Sequence, residues 1–169
     1  MTNDSDVRVP KLCAIQFQMQ FWSITGTSYG GYSSWCAIAR APPELIAAAA
    51  PICGMTDLVV DHETTRPDLR PYSEEMLGGS PASVPARYRE RSPINFVPRI
   101  TGRLLIVQGM RDPNVTPENL NAVRKALDAA GVTYEVLTFA DEGHGIAKPA
   151  NRAIQNRRLA AFFAEALRG

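Results

Sequence analysis

A serine flanked by glycines constrains the fold of this chain more than any other feature. Gly26-Thr27-Ser28-Tyr29-Gly30 directly follows the apolar stretch 21–25 and precedes a predicted helix. At a strand-to-helix junction, the pattern Gly-x-Ser-x-Gly is typical of a sharp, strained turn that exposes the serine hydroxyl. A Cβ atom two residues either side of the serine would collide with its surroundings, so the turn is expected to need Gly26 and Gly30. On the motif alone, a flexible loop serine stays an alternative.

A carboxylate and an imidazole follow predicted strands in the second half of the sequence. Asp112 comes just after the run 103–109, and His144 comes after the run 133–139. The carboxyl ends of parallel strands meet at one edge of an open sheet, so both residues are expected on the rim that carries Ser28. A nucleophilic serine needs a histidine base and a carboxylate that orients it, and the chain order Ser, Asp, His is that of α/β-hydrolases.

Each of these partners also has a less specific interpretation. Asp112 could simply form a turn, because Asp bonds readily to its own backbone, and His144 could be a surface residue between glycines. The other histidine, His62, lies among charged residues and is interpreted as a solvated surface residue. Asp141 and Glu142 compete with Asp112 for the role of the acid, but they are too close to His144 in sequence to approach its ring easily.

Four segments together carry a resemblance to a known family. They are Gly26-Thr27-Ser28-Tyr29-Gly30-Gly31-Tyr32, Ser92-Pro93-Ile94-Asn95, the run 105–115 and Glu142-Gly143-His144-Gly145. From about Ser23 onward, the chain resembles the C-terminal part of the catalytic domain of the prolyl oligopeptidase family of serine peptidases, which includes dipeptidyl and acylaminoacyl peptidases. The resemblance implies Ser28 as nucleophile, Asp112 as orienting acid and His144 as base. It also implies the backbone N–H of Tyr29 as one oxyanion donor.

The sequence departs from that family ahead of the serine. Only 25 residues precede Gly26, and they contain neither a His-Gly-Gly loop nor a tyrosine. The family normally has about half of its sheet and the second oxyanion donor there, and no propeller or other gating domain is expected within this sequence. The expected fold class is therefore α/β: a truncated α/β-hydrolase with the second half of the sheet, mostly parallel, and flanking helices.

Local patterns predict the order of the elements. A helix is expected from Tyr29 to about Arg40, and the apolar run 46–52 is typical of a buried strand. The segment 54–101 is rich in Pro, Arg and Glu and contains no convincing strand. It is expected to overhang the site as an excursion, with short helices around 72–77 and 85–90. Its arginines are interpreted as a solvated face, with the alternative that one of them receives a substrate carboxylate: Arg66, Arg70, Arg87, Arg89 and Arg91.

Two helices are predicted in the last third of the chain. Thr116 and Pro117 are expected to begin one as its N-cap and first-turn proline, and Gly131 to end it. The final helix carries a stripe at helical spacing that is interpreted as core packing. Its members are Leu159, Phe162, Phe163, Ala166 and Leu167.

The N-terminal segment 1–20 is expected to be irregular or extended, and 21–169 to form the partial catalytic domain. Within that segment, Ile15, Phe17 and Met19 alternate with glutamines, a pattern that indicates a strand with one wet face. The first strand would leave an apolar sheet edge uncovered, and such an edge favours association. A homodimer or larger assembly through this edge is therefore a hypothesis.

Composition narrows the partners and the compartment. A net charge of +1 over 169 residues provides no electrostatic footprint for nucleic acid. The polar, acidic N terminus is not typical of a signal peptide, and the apolar run 45–52 is too short to span a membrane. Three cysteines without metal spacing are expected to be buried thiols in a reducing compartment, which favours the cytoplasm.

The function predicted from these features is serine hydrolysis. A peptidase that forms an acyl-enzyme on a peptide or small acyl substrate is favoured, with neither a metal nor an organic cofactor. Two alternatives stay open. One is a carboxylesterase of the same fold, and the other is a non-catalytic remnant or a split half that needs an upstream partner.

Overall fold

Four parallel strands form the centre of the molecule. The computed structural model describes residues 22–43 and 45–168. The strands are β1 (Trp22–Thr27), β2 (Ile46–Ile52), β3 (Arg103–Gly109) and β4 (Glu135–Phe139), and their spatial order in the sheet is their chain order. Every neighbouring pair is parallel, which confirms the predicted α/β class.

Helices connect the strands and cover the sheet. They are α1 (Tyr29–Arg40), α2 (Leu58–Thr64), α3 (Arg70–Leu77), α4 (Pro85–Arg91), α5 (Pro117–Ala130) and α6 (Pro149–Ala166). Two 3₁₀ segments, Pro67–Leu69 and Pro93–Arg99, lie in the excursion between β2 and β3. The helix predicted behind the serine corresponds to α1, and the two short helices predicted in the excursion correspond to α3 and α4.

The two central strands, β2 and β3, are buried on both faces of the sheet, as their apolar sequences require. On one face, Trp35 and Ile38 of α1 and Val123 and Leu127 of α5 belong to one buried cluster. On the other face, Phe162 of α6 packs in a second cluster formed with residues of β2, β3 and β4. The strand register brings the carboxyl ends of all four strands to the same edge, the edge at which the candidate site lies.

Three details of the predicted elements differ in the structure. The stripe of the last helix stops short, because α6 ends at Ala166 and Leu167 beyond it is 60% exposed. The hydroxyl of Thr116, the N-cap of α5, hydrogen-bonds Thr64 instead of capping its own helix. Finally, β4 begins at Glu135, two residues later than predicted.

The prediction of an irregular or extended segment at 1–20 lies outside the described residues, as does Cys13. Of the other two thiols, Cys53 is buried and Cys36 is half-buried, and both are free. Within 22–43 and 45–168, no helix is both long enough and apolar enough to cross a bilayer.

Candidate active site

Ser28 sits in a strained turn between β1 and α1. Its φ of 61° and ψ of −119° are unusual for a residue with a side chain, and such a conformation costs about 1–3 kcal/mol. The Ser28 N–H donates to the carbonyl of Ile52 at 2.9 Å, which ties the turn to the end of β2. A Cβ on Gly26 would come within 2.6 Å of the Gly30 carbonyl carbon, so the turn does need Gly26, as predicted.

The second glycine of the motif is not the one that the packing requires. A Cβ on Gly30 would meet nothing within 4 Å, so the predicted collision there is wrong. The close approach occurs one residue later. A Cβ on Gly31 would lie 2.6 Å from the Ile52 carbonyl oxygen and 2.8 Å from Cα of Gly54. The first turn of α1 therefore touches the backbone that follows β2, and this contact keeps the turn at the rim of the sheet.

The structure brings Ser28, His144 and Asp112 together, although up to 116 positions separate them in the chain. His144 Nε2 lies 2.7 Å from Ser28 Oγ, and its Nδ1 lies 2.9 Å from Asp112 Oδ2. A carboxylate only accepts, so Nδ1 carries the proton and Nε2 is free to accept from the serine hydroxyl. The imidazole thus has the tautomer that a general base needs.

The turn after β3 holds the Asp112 carboxylate through the oxygen that does not face His144. The Asp112 side chain is fully buried, and its Oδ1 accepts backbone N–H bonds from Asn114 at 2.8 Å and Val115 at 3.0 Å. These two bonds fix the carboxylate so that its other oxygen faces His144. Asp112 does act as a turn former, and the same turn presents Oδ2, which also accepts from the Gln108 side-chain amide at 3.5 Å, to the imidazole.

The two competing carboxylates near His144 have other partners. Buried Glu142 accepts from the N–H groups of Ala147 at 3.1 Å and Lys148 at 3.0 Å, which closes the loop that carries His144. Asp141 pairs with the Lys148 ammonium at the surface. Neither carboxylate hydrogen-bonds the imidazole ring.

The interpretation of His62 as a solvated residue is wrong. Its side chain is only 15% exposed, and its Nε2 lies 2.8 Å from Glu74 Oε1, a contact that joins α2 to α3. The ring also lies edge-on to that of buried Tyr88. His62 therefore helps to hold the excursion together. It belongs neither to the candidate site nor to the exposed surface.

The Tyr29 N–H, the predicted oxyanion donor, belongs to the first residue of α1. The first N–H groups of a helix have no acceptor within the helix, so such a group is available to a ligand. Its assignment as the oxyanion donor stays a prediction. The Tyr29 side chain is exposed and forms part of the cavity wall.

A cavity of about 290 Å³ opens beside Ser28 and His144. The excursion supplies most of its wall, which confirms that this segment overhangs the site. The lining residues of the excursion are Met55, Leu58, Asp61, Thr65, Leu69, Tyr72, Ser73, Met76, Leu77 and Arg91. Of the five arginines considered, Arg91 alone lines the cavity. Arg66 pairs with Asp68, while Arg70 and Arg87 donate to backbone carbonyls.

The sequence does not predict two polar residues of the cavity, Asn114 and Asp61. The Oδ1 atom of Asn114 is buried and accepts no hydrogen bond from the described residues. Asp61 is 5% exposed, and burial raises the pKa of its carboxyl to about 7. Asn114 has a sequence signal, because it belongs to the same turn as Asp112. Asp61 has no such signal, because its neighbours Val60 and His62 form no motif that marks it as part of a site.

The sequence matches the prolyl oligopeptidase family over residues 17–169. Dipeptidyl aminopeptidase BIII of Pseudoxanthomonas mexicana is 31% identical over 151 residues, which are 87% of this chain and 22% of that protein. Dipeptidyl peptidase family member 6 of Caenorhabditis elegans is 28% identical, over 87% of this chain and 20% of that protein.

The comparison with solved structures leads to the same family of peptidases. A puromycin-hydrolyzing peptidase of Mycobacterium tuberculosis superimposes with a TM-score of 0.79 at 30% identity, over 86% of this chain and 22% of that one. The acylaminoacyl peptidase of Pyrococcus horikoshii has the same fold, with a TM-score of 0.77 at 20% identity, over 86% of this chain and 24% of that one. The chain thus spans about a fifth of the length of the first curated relatives. With this sheet, this turn and these matches, the chain belongs to the prolyl oligopeptidase family and has the α/β-hydrolase fold of its catalytic domain.

Proposed function

We propose that the protein is a serine-type peptidase that cleaves peptide bonds through Ser28, His144 and Asp112. The observation that carries the proposal is the unbroken hydrogen-bonded chain from Asp112 Oδ2 through both ring nitrogens of His144 to Ser28 Oγ. Such a chain supplies a nucleophile, a base and a group that orients the base, which are the three parts of this chemistry.

In the proposed acylation, Ser28 Oγ attacks the substrate carbonyl carbon while His144 Nε2 takes the hydroxyl proton. The tetrahedral intermediate collapses when the carbon–nitrogen bond breaks and the imidazolium protonates the leaving amine. Buried Asp112 stabilises the imidazolium that forms in between. Water then attacks the acyl-enzyme, and His144 again takes a proton and returns it to Ser28.

The developing oxyanion needs donors that are already in place. The Tyr29 N–H is the proposed donor, because the residue after the nucleophile is the first residue of α1. The positive end of that helix adds to the stabilisation of negative charge. One donor of this kind is typically responsible for about 10²–10³-fold in kcat. In the cavity wall, the Asn114 Oδ1 acceptor is available to a substrate N–H.

Steady-state kinetics test the proposal. Hydrolysis of aminoacyl p-nitroanilides, tested with and without an N-acyl group, should require Ser28, so Ser28→Ala should abolish it. Ser33→Ala is the matched control, because Ser33 lies on the next turn of α1, is exposed and hydrogen-bonds only the Tyr29 carbonyl. The control should retain activity.

The same assay separates the alternatives. Turnover of a p-nitrophenyl ester without turnover of the anilide would favour a carboxylesterase and contradict the peptidase. If a folded sample hydrolyses neither substrate, it would point to a non-catalytic remnant or to a half that needs a partner chain.

A further inference from the structure

Asp61 is a buried acidic residue with one carboxylate oxygen in a hydrogen bond and no cationic partner among the described residues. It lies on α2 and is 5% exposed, and it lines the cavity that also holds Ser28 and His144. Its Oδ1 accepts from the Asn119 side-chain amide at 3.3 Å. It forms no ion pair with any residue in the described part of the chain.

The partner of Asp61 is a neutral amide that is already shared. Asn119 Oδ1 accepts from the Thr56 and Asp57 N–H groups at 3.1 Å and 3.3 Å, so the amide joins the start of α2 to α5. An amide of this kind orients a carboxylate but does not neutralise it. A buried carboxylate is normally paired with a cation or, like Glu142, hydrogen-bonded at both oxygens, because removing an unsatisfied charge from water is costly.

The lining of the cavity is otherwise mainly apolar, although Thr65 and Ser73 also belong to it. Met55, Leu58, Leu69, Met76 and Leu77 line it. Asp61 is the one acidic side chain among the described lining residues, and exposed Arg91 forms no ion pair with it. An apolar wall that ends in a single carboxylate is complementary to an alkyl chain that ends in a positive charge.

We infer that Asp61 is a substrate-binding residue that receives a cationic group, an alkylammonium or guanidinium, of the peptide bound at Ser28. The inference rests on the proposed function for the identity of the reaction, but the binding it describes can be measured without catalysis. The cation has two possible sources: a basic side chain next to the scissile bond, or the free α-amino group of a short peptide. Both have the same chemistry, and the ligands below distinguish them.

The protonation of Asp61 agrees with this role. Burial raises its pKa to about 7, the Asn119 hydrogen bond and the charge of His144 lower it, and the charges of Asp112 and Asp57 raise it. A cation in the cavity would favour the ionised form, so bound substrate would complete an ion pair that the free protein lacks.

Titration calorimetry on the Ser28→Ala protein at pH 7 tests the inference, because this background binds ligand without turnover. At this pH an α-amino group, with its ordinary pKa of about 7.7–8.0, is still mostly charged. Three ligands share the six-carbon skeleton of norleucine: Nα-acetyl-lysine methylamide, norleucine methylamide and Nα-acetyl-norleucine methylamide. The first has a side-chain cation, the second a terminal cation and the third no charge. At least one charged ligand should bind about 10- to 100-fold more tightly than the neutral one. Whichever ligand shows this preference identifies the source of the cation.

The added change Asp61→Asn should remove that preference and leave the affinity for the neutral ligand within about 3-fold. Asp57→Asn is the matched control, because it removes a carboxylate from the start of the same helix, outside the cavity lining, while Asn still caps. It should keep the preference. Equal affinity for all three ligands, or a preference that survives Asp61→Asn, would overturn the inference. Failure of the proposed function would appear elsewhere, as absent hydrolysis by the Ser28-containing protein, whatever the affinities.

Discussion

The site joins two regions that are built differently. The sheet rim supplies Ser28, Asp112 and His144, each from a turn at the end of a strand. A backbone bond ties Ser28 to Ile52, and the turn around Asp112 donates two N–H groups to its carboxylate. The Glu142 carboxylate closes the loop that carries His144. The excursion, residues 54–101, supplies most of the cavity wall from short helices and 3₁₀ segments. These pieces are held by side-chain contacts to distant residues, such as the bond from Leu58 N–H to Ser92 Oγ at 2.9 Å.

Because of this difference, we expect the rim to determine the rate of the reaction and the excursion to determine which substrates bind. The rim has little freedom, because its backbones touch and its carboxylates are saturated with hydrogen bonds. The excursion tolerates an unneutralised acid and exposed apolar side chains such as Tyr72 and Met76. We therefore expect changes on the rim to affect rate and folding strongly, and changes in the excursion to affect affinity and stability in smaller steps.

The largest effect is expected at Ser28 itself. Ser28→Ala should lower kcat at least ~10⁴-fold, because the other members of such a site contribute little without the nucleophile. The fold should persist, since the substitution removes one oxygen and keeps the Ser28 N–H bond to Ile52. Progress curves with a chromogenic peptide, beside circular dichroism of the same samples, check both parts. Residual activity within 10-fold of the parent would exclude Ser28 as the nucleophile.

Neighbouring glycines provide the sharpest test of rim packing. Gly31→Ala should cost about 3 kcal/mol, because the new methyl would overlap the backbones of Ile52 and Gly54. The melting temperature should fall by roughly 10 °C. Gly30→Ala should instead raise stability by about 0.5–1 kcal/mol, since it adds a helix former in open space. Thermal melts that rank the two variants the other way round would refute this account of the turn.

Asp61 should make stability depend on pH. Its folded pKa is raised from the ordinary 3.8 to about 7, so the unfolded chain loses this proton at lower pH than the folded chain does. Stability is therefore lost as the pH rises from about 4 to 7, and the penalty is complete above that. Asp61→Asn lacks the penalty and should be more stable than the parent by about 4 kcal/mol at pH 8 and by much less at pH 4. Urea titrations at both pH values measure the difference, and a constant difference would contradict it.

The cap of α2 should have a smaller effect. Asp57 accepts from the N–H groups of Val59 at 2.9 Å and Val60 at 3.3 Å. Asp57→Ala should therefore cost about 1 kcal/mol, while Asp57→Asn should cost a few tenths at most. Denaturant midpoints compare the two variants. Equal losses in both would mean that the charge of Asp57, rather than its cap, stabilises the excursion.

The smallest and most concentration-dependent effect concerns the sheet edge. Within the described residues, β1 pairs on one side only, with β2, and Trp22 at its start is 63% exposed. We propose that copies of the chain associate through this edge. Light scattering coupled to size-exclusion chromatography should show a mass that rises with protein concentration. A constant monomer mass at every concentration would argue against it.

The rim could be predicted from the sequence because its signals are local. Apolar runs mark β2 and β3, the glycine motif marks the turn, and parallel topology places Asp112 and His144 beside Ser28. The need for Gly31 rather than Gly30 could not be predicted, since it depends on how closely α1 approaches the end of β2.

The excursion is harder to predict, because contacts between residues that are far apart in the chain determine its structure too. Its first helix, α2, contains Val59 and Val60, which are weak helix formers. Contacts from outside the helix hold it, including those of Asn119 with Thr56 and Asp61, some 60 residues away along the chain. For that reason the sequence predicts neither α2 nor the buried positions of His62 and Asp61.

The most direct test of the central claim is covalent labelling with a fluorophosphonate, followed by mass spectrometry of the digested protein. An activated serine reacts with this probe, and an ordinary serine does not. The account predicts one modified peptide, which contains Ser28, and loss of labelling in His144→Gln although the hydroxyl is still present. Labelling of a different serine, or undiminished labelling in His144→Gln, would contradict it.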